Sequence, residues 1–236
     1  MIKPLSLLIT LGLAGAAWAA MPAKAPVRAA QEPVVVELFH SQGCSSCPPA
    51  LANLNAIADR PDVLALSFGV TYWDYLGWKD SFASPRFTAR QVDYAHHNGG
   101  NNVGTPQVWI NGRSTIIGSN RAELDASIAQ VAPLHGPAMK IAGNRVQIDA
   151  GQAPIGGADI WLVRYDPRTV QVAIRAGENG GRTLTHRDVV HELTRIGRWT
   201  GTAQTLSIPA PSDPAFRTAV LLQTGLGGPL LGAAKG

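Results

Sequence analysis

Sulfur is scarce in this sequence, and that scarcity limits the metal sites the chain can build. Of 236 residues, two are cysteine and three are methionine. A closed zinc site needs four ligands, so histidines or carboxylates would have to complete it, and His40 is the one histidine near the cysteines. So few methionines also weaken the case for a copper carrier built on thioether ligands.

Charged and aromatic residues are also sparse, at 15% and 6% of the chain, while 45% of the residues are apolar. This balance is typical of a globular core. The formal net charge is +4, but the arginines are scattered singly and lack the aromatic or glycine context of a nucleic-acid surface, so we expect no nucleic-acid partner. After the amino-terminal segment there is no further long apolar run and no low-complexity tract.

The amino-terminal segment has the pattern of a secretory leader. One charge, Lys3, precedes an apolar stretch at 5–13, and small residues follow it. This predicts a cleavable signal peptide over 1–20 and a proline- and alanine-rich linker over 21–33. An uncleaved anchor is the less favoured alternative. We therefore expect a periplasmic or secreted protein with no stable membrane insertion after cleavage, in a compartment where disulfides persist.

The two cysteines, Cys44 and Cys47, are separated by two residues and follow the apolar run 34–39. Pro48 and Pro49 come next and suit the start of a helix, so the pair lies where a strand turns into a helix. As a structural disulfide, so short a loop would contribute only about 2 kcal/mol. The spacing favours thiol-disulfide exchange, with a structural disulfide and a metal site as alternatives.

Hydrophobic periodicity and turn residues predict two successive regions. The first has the order strand, helix, strand, helix, strand, strand, helix, at residues 34–39, 48–60, 63–70, 82–97, 107–110, 115–117 and 120–131. The second has predicted strands at 146–148, 160–163, 170–174, 206–208 and 219–223. A turn at Asp166-Pro167 is predicted to join the second and third of these, and 187–196 fits either a helix or a strand.

The first region resembles the thioredoxin superfamily over residues 33–134. The resemblance rests on the element order, on the dithiol at the first strand-helix junction and on Thr105-Pro106 before the third strand. It implies a cis proline at Pro106 that faces the dithiol, and a backbone contact from Thr105 to the substrate chain. The predicted fold class is α/β. A thioredoxin-like domain at 34–135, which contains an insertion, is followed by a smaller β-rich domain at 136–236.

A closer resemblance is to a secreted bacterial thioredoxin-like family catalogued as domain of unknown function 1223. The matching phrases are 37–39 with 43–49, then 72–80 and 105–107. This family name implies the fold and export but no reaction, so a function has to be argued from the residues.

The chemistry expected of the pair follows from its position. Cys44 is predicted to be the exposed attacking thiol, because N–H groups at a helix amino terminus stabilise a thiolate, and Cys47 is predicted to resolve the mixed disulfide. Ser45 and Ser46 either donate hydrogen bonds to the Cys44 sulfur or are ordinary loop residues. The exchange needs no cofactor beyond the sulfurs.

Glu37 is a second candidate catalytic residue. Val35 and Phe39 flank it on one face of the first strand, so burial is expected to raise its pKa and let it move the proton of Cys47. The alternative is a carboxylate that reaches water or an arginine. His40 either stabilises the Cys44 thiolate or ends the strand, and the second interpretation is favoured.

Aromatic residues in the insertion form a candidate substrate-binding surface. Tyr72, Trp73 and Trp78, together with Tyr75, either contact a partner protein or pack under the insertion. The motif at 177–179 and His186 look like a second site, but we interpret them as turn and strand-edge residues.

The leading hypothesis is an exported thiol-disulfide oxidoreductase that exchanges disulfides with a protein or a small-molecule thiol. One alternative is a non-enzymatic module that binds a partner and carries a permanent disulfide, and another is a carrier of Cu(I) or Zn(II). The motif itself does not specify redox direction, which depends on how strongly the reduced form is stabilised, or the oligomeric state.

Overall fold

Eight strands share one mixed sheet, and the apolar runs at 34–39 and 63–69 lie in its interior. The structure is a computed structural model that describes residues 32–236, so the predicted signal peptide and nearly all of the linker lie outside the described residues. The described residues all belong to one compact unit by their contacts. No helix in the described range is long and apolar enough to cross a membrane.

The described chain has three α-helices and thirteen strands. The helices are α1 (Pro48–Ile57), α2 (Pro85–His97) and α3 (Arg121–Gln130). The strands of the first region are β1 (Val34–His40), β2 (Val63–Gly69), β3 (Gln107–Ile110) and β4 (Ser114–Ile116). Those that follow are β5 (Met139–Ala142), β6 (Arg145–Ile148), β7 (Ala158–Asp166), β8 (Val170–Ala173), β9 (Thr183–His186), β10 (Val189–Trp199), β11 (Gln204–Ser207), β12 (Arg217–Gln223) and β13 (Leu230–Lys235).

The large sheet has the strand order β13-β12-β7-β10-β2-β1-β3-β4. Its central strands β1 and β2 are parallel and buried along almost their whole length, as expected for strands covered on both faces. β3 pairs with β1 in the antiparallel sense. Because β10 pairs with β2, the hydrogen-bonded sheet crosses the predicted domain boundary at residue 135.

The predicted elements of the first region are confirmed, with shifted bounds. α1 ends at Ile57 and not at residue 60, and β4 begins and ends one residue earlier than predicted. α2 begins at Pro85 and not at residue 82, because the Ser84 side chain accepts a hydrogen bond from the Arg86 N–H and Pro85 occupies the first turn. The hairpin between β3 and β4 turns at Asn111 and Gly112, which both have positive φ. Asn120 caps α3 through its side chain, as its position predicts.

The second region differs more from its prediction. The ambiguous segment 187–196 is a strand from Val189 onward. Its helix-like spacing arises because two irregularities in the pairing of β10 with β7 change which side chains face inward. The turn after Asp166 is present, but β8 pairs with β9 and not with β7. Strands β5, β9 and β13 were not predicted.

The two faces of β1 pack on different helices. Val36 and Leu38 share a core cluster with Leu51 and Leu54 of α1. Val35 and Phe39 lie in the other cluster, with Tyr94 of α2. Glu37, between Val35 and Phe39, therefore faces α2.

Glu37 and Arg90 form an ion pair inside the protein. Arg90 is 4% exposed and Glu37 is fully buried, and Arg90 Nε lies 2.7 Å from Glu37 Oε1. The hydroxyl of Tyr94 donates to the same carboxylate. Arg90 also donates to Gln223 Oε1 on β12 at 3.0 Å, so the network joins β1, α2 and β12.

We expect Arg90→Met to lower the free energy of unfolding by about 3–5 kcal/mol, because it leaves the Glu37 carboxylate buried without its cation. Urea unfolding of the purified chain measures this loss. Glu37→Met combined with Arg90→Met should be more stable than the single Arg90 variant, since neither charge remains buried. A single variant within 1 kcal/mol of the parent would contradict this account.

Candidate functional site

Cys44 and Cys47 lie in the dithiol loop, which we define as residues 41–47 between β1 and α1. The loop turns twice, through hydrogen bonds from the Cys44 N–H to Ser41 O and from the Cys47 N–H to Cys44 O, each 3.2 Å long. Cys47 is the N-cap residue of α1, directly before Pro48. The two cysteines form a disulfide with their Cα atoms 5.5 Å apart. The predicted strand-helix junction is therefore confirmed.

The predicted exposure of Cys44 is wrong. Cys44 is 0% exposed and Cys47 is 1% exposed, whereas Ser45 and Ser46 between them are exposed. Two atoms close to Cys44 Sγ are Ser46 Oγ at 3.3 Å and the carbonyl oxygen of Thr105 at 3.7 Å. The exposed side chain of Ser46 thus lies against the buried sulfur.

Pro106 is next to the dithiol and follows a cis peptide bond, as the resemblance implied. The Thr105 carbonyl that approaches Cys44 also accepts a hydrogen bond from the Ser46 hydroxyl at 3.3 Å. The Thr105 hydroxyl accepts one from Trp73 Nε1 at 2.7 Å. Three predicted site residues, Cys44, Thr105 and Pro106, are therefore brought together.

A groove of about 510 Å³ begins beside Ser46 and follows this proline segment to the edge of the sheet. The lining residues are Ser46, Gly104, Thr105, Pro106, Gln107, Thr115, Ile116, Ile117 and Ser119. β4 is the edge strand of the sheet, and Ile117, directly after it, is 62% exposed. The groove thus offers an apolar side chain and an open strand edge close to the disulfide.

A turn from the second region, residues 177–179, packs on the dithiol loop. The buried amide of Asn179 donates to Gln42 O at 3.0 Å and to Cys44 O at 2.8 Å. The carboxylate of Glu178 accepts from the Ser45 N–H at 2.8 Å. From the sequence, residues 177–179 were interpreted only as a turn, and this contact was missed. The local pattern gives no signal for a partner more than 130 positions away.

The segment between β2 and α2, residues 70–84, supports the other side of the loop. Asp80 accepts a 2.7 Å hydrogen bond from the Gln42 N–H, and Trp78 Nε1 donates to Gln42 Oε1 at 2.9 Å. Burial raises the pKa of Asp80 to about 6, against the opposing effect of hydrogen bonds from backbone N–H groups. The segment between β2 and α2 therefore holds the loop through Gln42.

The aromatic residues predicted to form one substrate-binding surface instead make separate contacts within the protein. Trp73 binds Thr105, Trp78 binds Gln42, and the Tyr72 hydroxyl donates to Gln91 at 3.1 Å. These three side chains are half-buried, and Tyr75 is 79% exposed. They position the loop and the proline segment, and contact with a substrate stays a prediction.

Glu37 lies on the face of β1 opposite α1, the helix that Cys47 begins. Its carboxylate binds Arg90 and Tyr94, so the alternative that it reaches an arginine is confirmed. This placement does not support a role in moving the proton of Cys47.

His40 and His186 form a buried pair, with ring centroids 5.5 Å apart. His40 Nε2 lies 2.7 Å from Ser67 Oγ, so its ring is engaged with β2. Burial, with a smaller effect of His186, lowers the pKa of His40 to about 3. Burial also lowers the pKa of His186 to about 4. Within residues 32–236, no group of three or more histidine, cysteine or acidic side chains is placed to hold a metal ion.

The histidine pair makes stability depend on pH. Between the ordinary pKa of 6.5 and a folded-state pKa of about 4, the unfolded chain binds more protons at His186, so stability falls as the pH falls through this range. We expect His186→Phe to reduce the slope of unfolding free energy against pH by up to about 1.4 kcal/mol per pH unit. Urea unfolding between pH 4.5 and 7 measures it, with the exposed His96→Phe as control. Parallel curves for parent and His186→Phe would contradict the pKa assignment.

Ser46 should control access to the disulfide. Ser46→Ala removes the hydroxyl that lies against Cys44 Sγ and binds Thr105 O, so we expect reduction by dithiothreitol to be about fivefold faster, the equivalent of one hydrogen bond of about 1 kcal/mol. Thiol trapping over time gives the rate. The exposed neighbour Ser45→Ala is the matched control, and equal rates in both variants would show that Ser46 does not cover the sulfur.

Comparison with known proteins supports this fold at the family level. Residues 35–223 match the model of a family described as "Protein of unknown function (DUF1223)". A crystal structure from a structural genomics consortium, of a protein from Agrobacterium tumefaciens, has 36% sequence identity and a TM-score of 0.70, covering 87% of this chain and 95% of that one. HBP35 of Porphyromonas gingivalis is similar in fold alone, with 13% identity and a TM-score of 0.57 over 88% of this chain and 76% of that one. No curated protein matches.

Proposed function

The chain belongs to the DUF1223 family, which is defined by sequence and not by a reaction, and we propose that it is an exported thiol-disulfide oxidoreductase. The reacting groups are Cys44 and Cys47. The observation that carries the proposal is the position of Cys44 Sγ, 3.7 Å from the carbonyl oxygen of Thr105, the residue before cis Pro106. Pro106 lines the groove in which a partner chain approaches the disulfide.

The element order of the first region supports a thioredoxin-like arrangement for residues 34–135. β1, α1 and β2 form a parallel β-α-β unit, and the dithiol lies at the carboxyl end of β1, the sheet edge where open α/β folds bind ligands. The antiparallel strands β3 and β4 and helix α3 follow. The segment between β2 and α2 is then the insertion.

The exchange proceeds between sulfurs alone. A partner thiolate attacks Cys44, a new partner-Cys44 bond forms, the Cys44–Cys47 bond breaks, and Cys47 leaves as a thiolate that takes up a proton. A second thiol of the partner then attacks the mixed disulfide and releases Cys44. The same steps in reverse transfer two electrons from the dithiol to a partner disulfide. Pro106 and Thr105 orient the partner backbone.

A second candidate function is a non-enzymatic binding module with a permanent disulfide, and the burial of both cysteines favours it. Structural disulfides of secreted proteins have reduction potentials below about −300 mV. A potential in that range, together with no turnover of a disulfide substrate, would select this function over exchange.

We expect Cys44→Ser to abolish turnover of insulin with dithiothreitol, because no sulfur then remains next to the carbonyl oxygen of Thr105. Cys47→Ala should accumulate mixed disulfides through Cys44, which non-reducing electrophoresis detects, because the resolving thiol is absent. Ser45→Ala is the control and should turn over insulin. Urea unfolding confirms that each variant is folded, and unchanged turnover by Cys44→Ser would reject the proposed function.

A further inference from the structure

One carboxylate, that of Glu178, reaches the backbone directly beside the reacting sulfur. Its Oε2 accepts a 2.8 Å hydrogen bond from the N–H of Ser45, the residue after Cys44. The hydrogen bond from Ser45 lowers the pKa of Glu178, so the carboxylate is charged at neutral pH. Glu178 comes from the second region of the chain, to which the reaction described above assigns no task.

The neighbours of Glu178 hold it in this position. Asn179 is fully buried and donates to two carbonyl groups of the dithiol loop, while Arg182 donates to the Asn179 side-chain oxygen at 3.1 Å. Gly177 has a φ of 74°, and a Cβ atom there would lie 3.7 Å from the Cα of Gly43. The turn therefore packs closely on the dithiol loop. This packing holds the carboxylate of Glu178 next to the Ser45 N–H.

The dithiol loop has few N–H groups left to stabilise a thiolate at Cys44. Helix α1 begins with Pro48 and Pro49, which have no N–H, so two of the expected donors of its first turn are missing. The N–H of Cys47 is bound to Cys44 O. The N–H of Ser45 is bound to Glu178.

We propose that Glu178 shifts the redox equilibrium of Cys44 and Cys47 toward the disulfide, so that the reduced protein acts as a reductant of protein disulfides. A negative charge close to Cys44 disfavours the thiolate of the reduced form, whereas the disulfide carries no charge. The dithiol passes two electrons to a partner disulfide, which becomes a dithiol, and Cys44–Cys47 is restored as a disulfide. Another dithiol protein re-reduces it by the same exchange. The inference rests on the proposed function and adds the direction in which electrons are transferred.

Glu178→Gln tests the charge alone, because the glutamine side-chain oxygen still accepts from Ser45. Purified full-length protein is equilibrated with mixtures of reduced and oxidised dithiothreitol at low salt and at pH 9.5, above the ordinary cysteine pKa of about 8.5, so that the thiolate of the reduced form is populated. Thiols are counted after trapping. We expect the equilibrium constant for reduction to rise about three- to fivefold, which is about 14 to 21 mV at 29.6 mV per tenfold. The difference from the parent should shrink in 1 M salt, where exposed charges are screened.

Asp149→Asn is the matched control, since it removes one exposed carboxylate at the end of β6. A shift of less than 1.5-fold for Glu178→Gln, or an equal shift for both variants, would overturn the inference. Glu178→Ala removes the hydrogen-bond acceptor as well as the charge. If Glu178→Ala changes the equilibrium constant and Glu178→Gln does not, the contact acts through the structure of the loop and not through charge.

The outcomes separate this inference from the proposed function. The equilibrium constant is measured without a protein substrate, so a shift in Glu178→Gln supports the effect of the Glu178 charge on the disulfide whatever the turnover. Unchanged insulin turnover by Cys44→Ser would reject the role as a reductant together with the proposed function. Lost turnover in Cys44→Ser with no shift in Glu178→Gln would keep the oxidoreductase and reject the role of Glu178.

Discussion

The ion pair between Glu37 and Arg90 is the interaction on which the rest of the structure depends. Two charges removed from water are unfavourable unless each has its partner, so β1 and α2 must assemble together. Arg90 also reaches Gln223, which brings β12 into the same network. The next residue of α2, Gln91, donates to Gly104 O and to Gln107 Oε1, both at 2.8 Å. The helix that the ion pair fixes therefore also fixes the segment around Pro106.

The candidate site is assembled from parts of the chain that are distant in sequence. The dithiol loop supplies the sulfurs, the segment at 104–107 supplies the proline and the groove, and the turn at 177–179 binds the loop from the opposite half of the chain. The insertion after β2 holds Gln42. Asp80, Glu178 and Asn179 all bind backbone groups of the loop, so distant segments of the chain help to set the conformation around the disulfide.

Local sequence patterns predicted the parts of the fold that local physics determines. The strand-helix junction at Cys44, the cap at Asn120 and the hairpin at Asn111 follow from turn and capping chemistry, and the cis bond at Pro106 followed from the family resemblance. What could not be predicted depends on distant partners. β13 contains glycine and alanine and has no strong pattern of its own, yet it pairs along β12. The burial of Cys44, the arginine opposite Glu37 and the contact of Glu178 with Ser45 likewise depend on segments far away in sequence.

The position of β10 between β2 and β7 has a consequence for the order in which the protein acquires its structure. β2 ends at Gly69, and its second neighbour begins only at Val189, so a ribosome must complete most of the polypeptide before this central edge can close. Contacts so remote in sequence slow the search for the native topology. During that interval an apolar strand edge stays open to other chains, which is the condition under which nascent proteins aggregate or engage chaperones.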